Sequence, residues 1–184
     1  MNKREAVVGV SDHGGWAIFV TVARDGTLLD RRRVELVDDA LPAIPHHHEA
    51  QMLPAGEGVA LVERVRASAE EHAAAALDEL ASAFPDVTGV ALRERPPLPP
   101  TIEERIKDVR ARNVADWVMY RDALAKAAEG RGWSVHWFDA KKAQAAAEPA
   151  ALDLRKTVGP PWTADHKLVM AGALGCIDKV RYSP

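Results

Sequence analysis

Cysteine is almost missing from this 184-residue chain, where Cys176 stands alone. That excludes an internal disulfide and any cysteine-built zinc site, and makes a reducing cytoplasm the expected location. A cationic surplus is missing too. Lys and Arg number 24 against 27 Asp and Glu, a net charge of −3, which argues against non-specific coating of nucleic acid while leaving room for a local basic groove. No apolar run approaches the ~20 residues of a membrane span. The opening MNKREAVVGV turns polar too soon for the apolar core of a secretory leader. No internal repeat or long linker divides the chain, so one domain spanning 1–184 is expected, with an ordinary globular composition of 47% hydrophobic residues.

What is present begins with strands. Residues 6–10 (AVVGV) and 16–22 (WAIFVTV) are apolar runs joined by Asp12-His13-Gly14-Gly15, and Asp25-Gly26 turns the chain into a third strand over 27–37. Tight turns and β-rich runs in that spacing predict a meander. A proline-containing loop over 38–58 carries His46-His47-His48-Glu49. Leu61, Val62, Val65, Ala69, His72, Ala73, Ala76, Leu77, Leu80 and Phe84 recur at helical spacing, which predicts a helix from about 57 to 83. Residues 87–92 (VTGVAL) form a fourth strand. Thr101 and Glu104 make a capping-box pair opening a helical stretch to about 129, with Val109 among its inward residues. A fifth strand covers 133–138 and ends in Asp139. Residues 140–161 are alanine-rich and then loop-like, and Thr163 is expected to cap a last helix ending near Leu174, with Gly175 just past it.

The order β-β-β-α-β-α-β-α describes a mixed α/β sheet, its first three strands antiparallel, with helices on both faces. With an acid after the first strand (Asp12), one after the fourth (Glu94) and one opening the last helix (Asp165), it resembles the ribonuclease H-like superfold and, within it, the branch holding Holliday-junction resolvases. The resemblance implies a three-layer fold and a divalent-metal-dependent nuclease or resolvase-like phosphodiester hydrolase. It also implies a last helix that points its N-terminal acid at the first-strand Asp.

Topology adds a statement of its own. The first, third, fourth and fifth strands should run in one direction, so Asp12, Glu94 and Asp139 leave the same carboxyl edge, as does the histidine loop. Asp12, Glu94 and Asp165 are the candidate catalytic carboxylates, and with Asp139 the candidate ligands of Mg²⁺ or Mn²⁺, hard ions that take oxygen donors. His46 and His48, as alternate residues of an extended segment, are expected to face one point, with His48 a candidate general base. Each has a plainer alternative: Asp12 as a turn residue, Glu94 in an ion pair with its flanking arginines, Asp139 as a structural residue, Asp165 favoured by the helix dipole, the histidines as a polar loop.

Arg93, Arg95, Arg105, Lys107, Arg110 and Arg112 cluster around the Pro-rich loop, and Lys141-Lys142 follow Asp139. They read either as phosphate contacts, with structured or single-stranded nucleic acid as partner, or as a solvated helix face. The five tryptophans are expected in or at the edge of the core. Two other functions compete with the nuclease. One is a non-catalytic binding or assembly module of the same fold, self-associating or not. The other, from the sugar-kinase and actin-like branch, would use DHGG as a phosphate loop, but normally needs two such domains.

Overall fold

A computed structural model of the chain describes residues 5–147 and 152–181, the last four by backbone alone. Its sheet has five strands: β1 (Ala6–Asp12), β2 (Trp16–Ala23), β3 (Leu28–Glu35), β4 (Val87–Arg93) and β5 (Ser134–Phe138). They lie in the order β3-β2-β1-β4-β5. The β1–β2 and β2–β3 pairs are antiparallel, while β4 runs parallel to both β1 and β5. The meander and the common carboxyl edge are therefore as expected.

Strands β1 and β2 read as near-continuous apolar runs because helices cover both of their faces. On one face Val8, Val10 and Phe19 pack with Leu61, Val65 and Leu77 of α1 (Ala55–Ala83) and Leu124 of α3 (Val109–Gly130). On the other, Val7, Ile18 and Val20 pack with Leu168, Val169 and Ala173 of α6 (Ala164–Arg181). Short helices α2 (Ile102–Lys107), α4 (Ala140–Ala146) and α5 (Arg155–Val158) complete the chain. The edge strand β3 is fastened by Arg31, whose guanidinium donates to the carbonyls of Val158 (2.8 Å), Gly159 (2.9 Å) and Pro161.

Two glycines decide how closely the layers meet. A Cβ on Gly9, at the centre of β1, would lie 2.1 Å from the Val169 carbonyl oxygen, so only glycine lets α6 lie this close to β1. Gly15 takes φ +81° in the turn where His13 N–H donates to the Trp16 carbonyl at 2.8 Å, and Val37 and Ala43 leave no space for a side chain there.

Two boundaries and one burial differ from expectation. The helical stretch after Thr101 breaks at Asp108, which is extended (φ −83°, ψ 115°) and whose carboxylate accepts from Arg110 N and Ala111 N. It is a second N-cap within what hydrophobic spacing reads as one helix. Val109, expected to point inward, opens α3 and is 60% exposed. The last helix runs through Gly175 to Arg181, because Cys176 and Ile177 continue its buried stripe beyond the glycine.

Candidate functional site at the carboxyl edge

The side chain that organises this edge is one that sequence reasoning passed over. Arg121, on α3 and 8% exposed, donates from Nε to Asp12 Oδ1 at 2.8 Å and from Nη1 to the Glu94 carbonyl at 3.0 Å. Arg93, the last residue of β4, adds Nη2 contacts to Asp12 Oδ1 (3.3 Å) and to its carbonyl (3.1 Å). Asp12 itself is 0% exposed. A carboxylate held between two guanidiniums is a charge already compensated, and removing either partner would strand the other in a medium that solvates it poorly. Within this cluster Asp12 Oδ2 and Arg93 Nε have no hydrogen-bond partner.

Asp165 has gone elsewhere. Side chains alternate across a strand, so Asp12 shares the face of Val8 and Val10, which α1 and α3 cover, while Ser11 and His13 share the face of Val7 and Gly9, which α6 covers. Asp165 lies one helical turn before Val169, the residue seated on Gly9. It therefore meets the odd-numbered residues: Ser11 Oγ donates to its Oδ1 at 3.3 Å, and His13 Nε2 lies 3.3 Å from its Oδ2. The second contact is at ion-pair distance without hydrogen-bond alignment. The His13 ring stacks on Trp16 at 3.9 Å between centroids, and the Arg33 guanidinium covers Trp16 at 4.0 Å. His166, the next residue of α6, is also buried. Its pKa lies below the ordinary histidine value, first through desolvation and then through the nearby Arg31 charge, against the pull of Asp165.

The histidine run is a turn and not an extended segment, so the expected pairing of His46 with His48 does not form. His48 N–H donates to the Ile44 carbonyl and Ala50 N–H to that of Pro45. His46 points inward at 1% exposure, its Nδ1 2.7 Å from Asp116 Oδ1, while His48 is exposed and meets the His47 ring edge-on. Asp116 is 0% exposed and also accepts from His46 N (3.0 Å) and His47 N (3.1 Å). Tyr120 Oη donates to the Ala43 carbonyl at 2.7 Å. One side of α3 thus fastens both the loop and Asp12.

Glu94 leaves the expected edge, but its side chain is exposed and Arg121 takes only its carbonyl. Asp139 caps α4 by accepting from Lys142 N at 2.9 Å, and this hydrogen bond chiefly holds its carboxyl below the usual range. Among the described residues no three His, Cys, Asp or Glu side chains are grouped so that they could hold a metal ion. The donor set fits Mg²⁺ or Mn²⁺ poorly for a positive reason. Two cations occupy Asp12, and Asp165 is engaged on the opposite face of β1. A divalent ion beside two guanidiniums would be repelled by both.

No family model matches the chain, and no curated protein matches it. Solved structures do. One of Thermus thermophilus RuvC in complex with Holliday junction substrate aligns with a TM-score of 0.53 over 97% of this chain and 96% of that one, at 19% identity. Another of Thermus thermophilus RuvC aligns with a TM-score of 0.53 over 96% and 95%, at 18% identity. The fold is ribonuclease H-like. At that identity the likeness speaks for the fold alone, and the site has to be read from its own side chains. No helix among the described residues is long and apolar enough to cross a membrane.

Proposed function

We propose that this ribonuclease H-like chain is a binding module for branched or single-stranded nucleic acid, working without a catalytic metal at its carboxyl edge. The observation that carries this reading is the Arg93–Asp12–Arg121 cluster, in which the acid that would hold a metal is buried and neutralised. Arg95, Lys141 and Lys142 are exposed around the same edge, next to a partly exposed Arg93. They give it positive charge for phosphates although the chain as a whole is acidic. The structural neighbour bound to a Holliday junction makes branched DNA the first ligand to try.

The test is gel-shift binding of a four-way junction and a single strand in EDTA and in Mn²⁺, with the same samples followed for cleavage. Salt-sensitive binding in EDTA, weakened by K141E/K142E and without Mn²⁺-dependent cleavage, is the expected result. Mn²⁺-dependent cleavage that disappears in D12N would overturn it. That outcome belongs to the second reading, a Mg²⁺- or Mn²⁺-dependent nuclease using Asp12, Glu94 and Asp165, with Asp139 and His48 near by. Besides the likeness in fold to RuvC, the unpartnered Asp12 Oδ2 favours it.

A further inference from the structure

A cleft of about 400 Å³ opens between α1, α2 and α3, beside Trp137 of β5. Three independent features of it point to a ligand. The first is His46, which lines the cleft at 1% exposure and whose Nε2 has no partner among the described residues. Asp116 orients the ring: an ionised carboxylate only accepts, so Nδ1 carries the hydrogen and, in the uncharged ring, Nε2 is a buried acceptor. A buried acceptor of this kind is costly to leave unmatched, and a ligand N–H would match it.

The second feature is a planar platform. The Arg95 guanidinium lies 4.2 Å over the Trp137 ring, and both groups line the cleft. Arginine planes and indoles are surfaces on which nucleobases stack. The third is charge. Arg66, Arg95, Arg105 and Lys126 line the cleft, against Glu70, Asp122 and Glu129. Lys126 is paired with Glu70 and Arg95 with Asp122, both at the surface, where such pairs exchange readily. Among the described residues Arg66 reaches only Glu63, at 3.7 Å, and Arg105 uses Nε and Nη2 on the Pro99 and Pro100 carbonyls, which leaves Nη1. Those two guanidiniums are available to an anion. Val62 and Met119 supply an apolar floor, and the volume lies within the roughly 300–1,000 Å³ of small-molecule sites.

We infer that this cleft binds a nucleotide, with an amine-bearing base stacked on Arg95 and donating to His46 Nε2, and a phosphate held by Arg66 and Arg105. The site shares Arg95 with the carboxyl edge but none of the Asp12 cluster, and it does not depend on nucleic-acid binding at that edge. The nucleotide has two chemical sources, a free nucleoside monophosphate or the 5′-terminal residue of a strand.

Calorimetric titration of the full chain with deoxyadenosine 5′-monophosphate, deoxyribose 5-phosphate, inorganic phosphate and a 5′-phosphorylated oligodeoxyadenylate tests this. The mononucleotide should bind at least about tenfold more tightly than the base-free phosphates, which lose the stack and the hydrogen bond. R66E and R105E should each weaken it about tenfold, R66E with the melting temperature unchanged and R105E with a small fall, since it gives up the bonds to the Pro99 and Pro100 carbonyls. H46Q, if it folds, should weaken it as well; if it does not fold, the two arginine variants decide. Tighter binding of the oligonucleotide assigns the site to strand ends, and equal or weaker binding assigns it to the free nucleotide. No binding at millimolar mononucleotide, equal binding of inorganic phosphate, or indifference to both charge reversals would overturn the inference.

Discussion

Replacing Asp12 by Asn separates a structural carboxylate from a metal ligand by the sign of its effect. Asn keeps the shape and one carbonyl oxygen but removes the charge that faces Arg121, 8% exposed, and Arg93, partly exposed. Breaking a buried ion pair from one side costs about 3–5 kcal/mol, because the remaining ion is left uncompensated. Arg121 keeps its bond to the Glu94 carbonyl and Arg93 reaches solvent, so the lower figure of about 3 kcal/mol is appropriate. For a chain of this size each kcal/mol moves the melting temperature by about 2–4 °C, giving a fall of about 6–12 °C. A carboxylate clustered with other acids behaves in the opposite way, since neutralising it relieves repulsion and holds or raises the melting point. Calorimetric melts of parent and D12N, each with and without millimolar Mn²⁺, read both. A D12N melting point equal to or above the parent's, or a Mn²⁺-dependent rise in the parent, would refute the ion-pair account. The D12N/R121Q double variant should recover part of the loss, because the pair is coupled through one carboxylate oxygen.

Two further outcomes follow from α6. His166 Nδ1 accepts from Thr163 N at 3.2 Å and lies 2.8 Å from Thr163 Oγ1, the side-chain half of a capping box at a position that usually holds Glu or Gln. Its pKa is lowered in the fold by burial and by Arg31. The unfolded chain therefore takes up the proton first, and this residue's contribution to stability falls as pH drops through the ordinary histidine value near 6.5, levelling off below the folded pKa. H166Q keeps an acceptor and loses the titration, so the fall in melting temperature between pH 7.5 and 5.5 should shrink; an unchanged slope would show that His166 is not its source. Gly9→Ala places a methyl 2.1 Å from the Val169 carbonyl oxygen, a backbone atom that cannot step aside. It should cost about 1–3 kcal/mol or more as α6 lifts and should loosen Ser11 and His13 from Asp165, visible as a shift of the His13 ring resonances. An unchanged melt and spectrum would mean that α6 is not anchored at Gly9.

The order of the five strands and the long helices, the parallel direction of β4 and β5 relative to β1, and the shared carboxyl edge were legible, because they follow from hydrophobic period, turn residues and the handedness of crossovers; the short helices α4 and α5 were not. Helix ends were less so. Asp108 was visible as an acid among arginines, but its role as a second cap depends on a break that continuous helical spacing conceals. Arg121 and Asp116 were hidden for a different reason. They are charged residues on the buried side of α3, where an apolar-stripe reading expects none, and each exists only for a partner distant in sequence: Asp12 for one, the His46 ring for the other.

The candidate site turned on parity, which the sequence contained in part. Asp12 follows Val8 and Val10 at even positions, so whichever helices cover those valines also cover Asp12. What the sequence did not say is that α6 would choose the odd face. Gly9 is the residue that decides it, since it is the gap in β1 into which the Val169 carbonyl fits. Once α6 is seated there, Asp165 is one turn upstream and must find Ser11 and His13. Asp12 is then left to the α3 face, where an arginine at position 121 meets it. The same geometry that makes this a well-packed ribonuclease H-like sheet thus sends its two best-placed acids to different partners, Asp12 to Arg93 and Arg121 and Asp165 to Ser11 and His13.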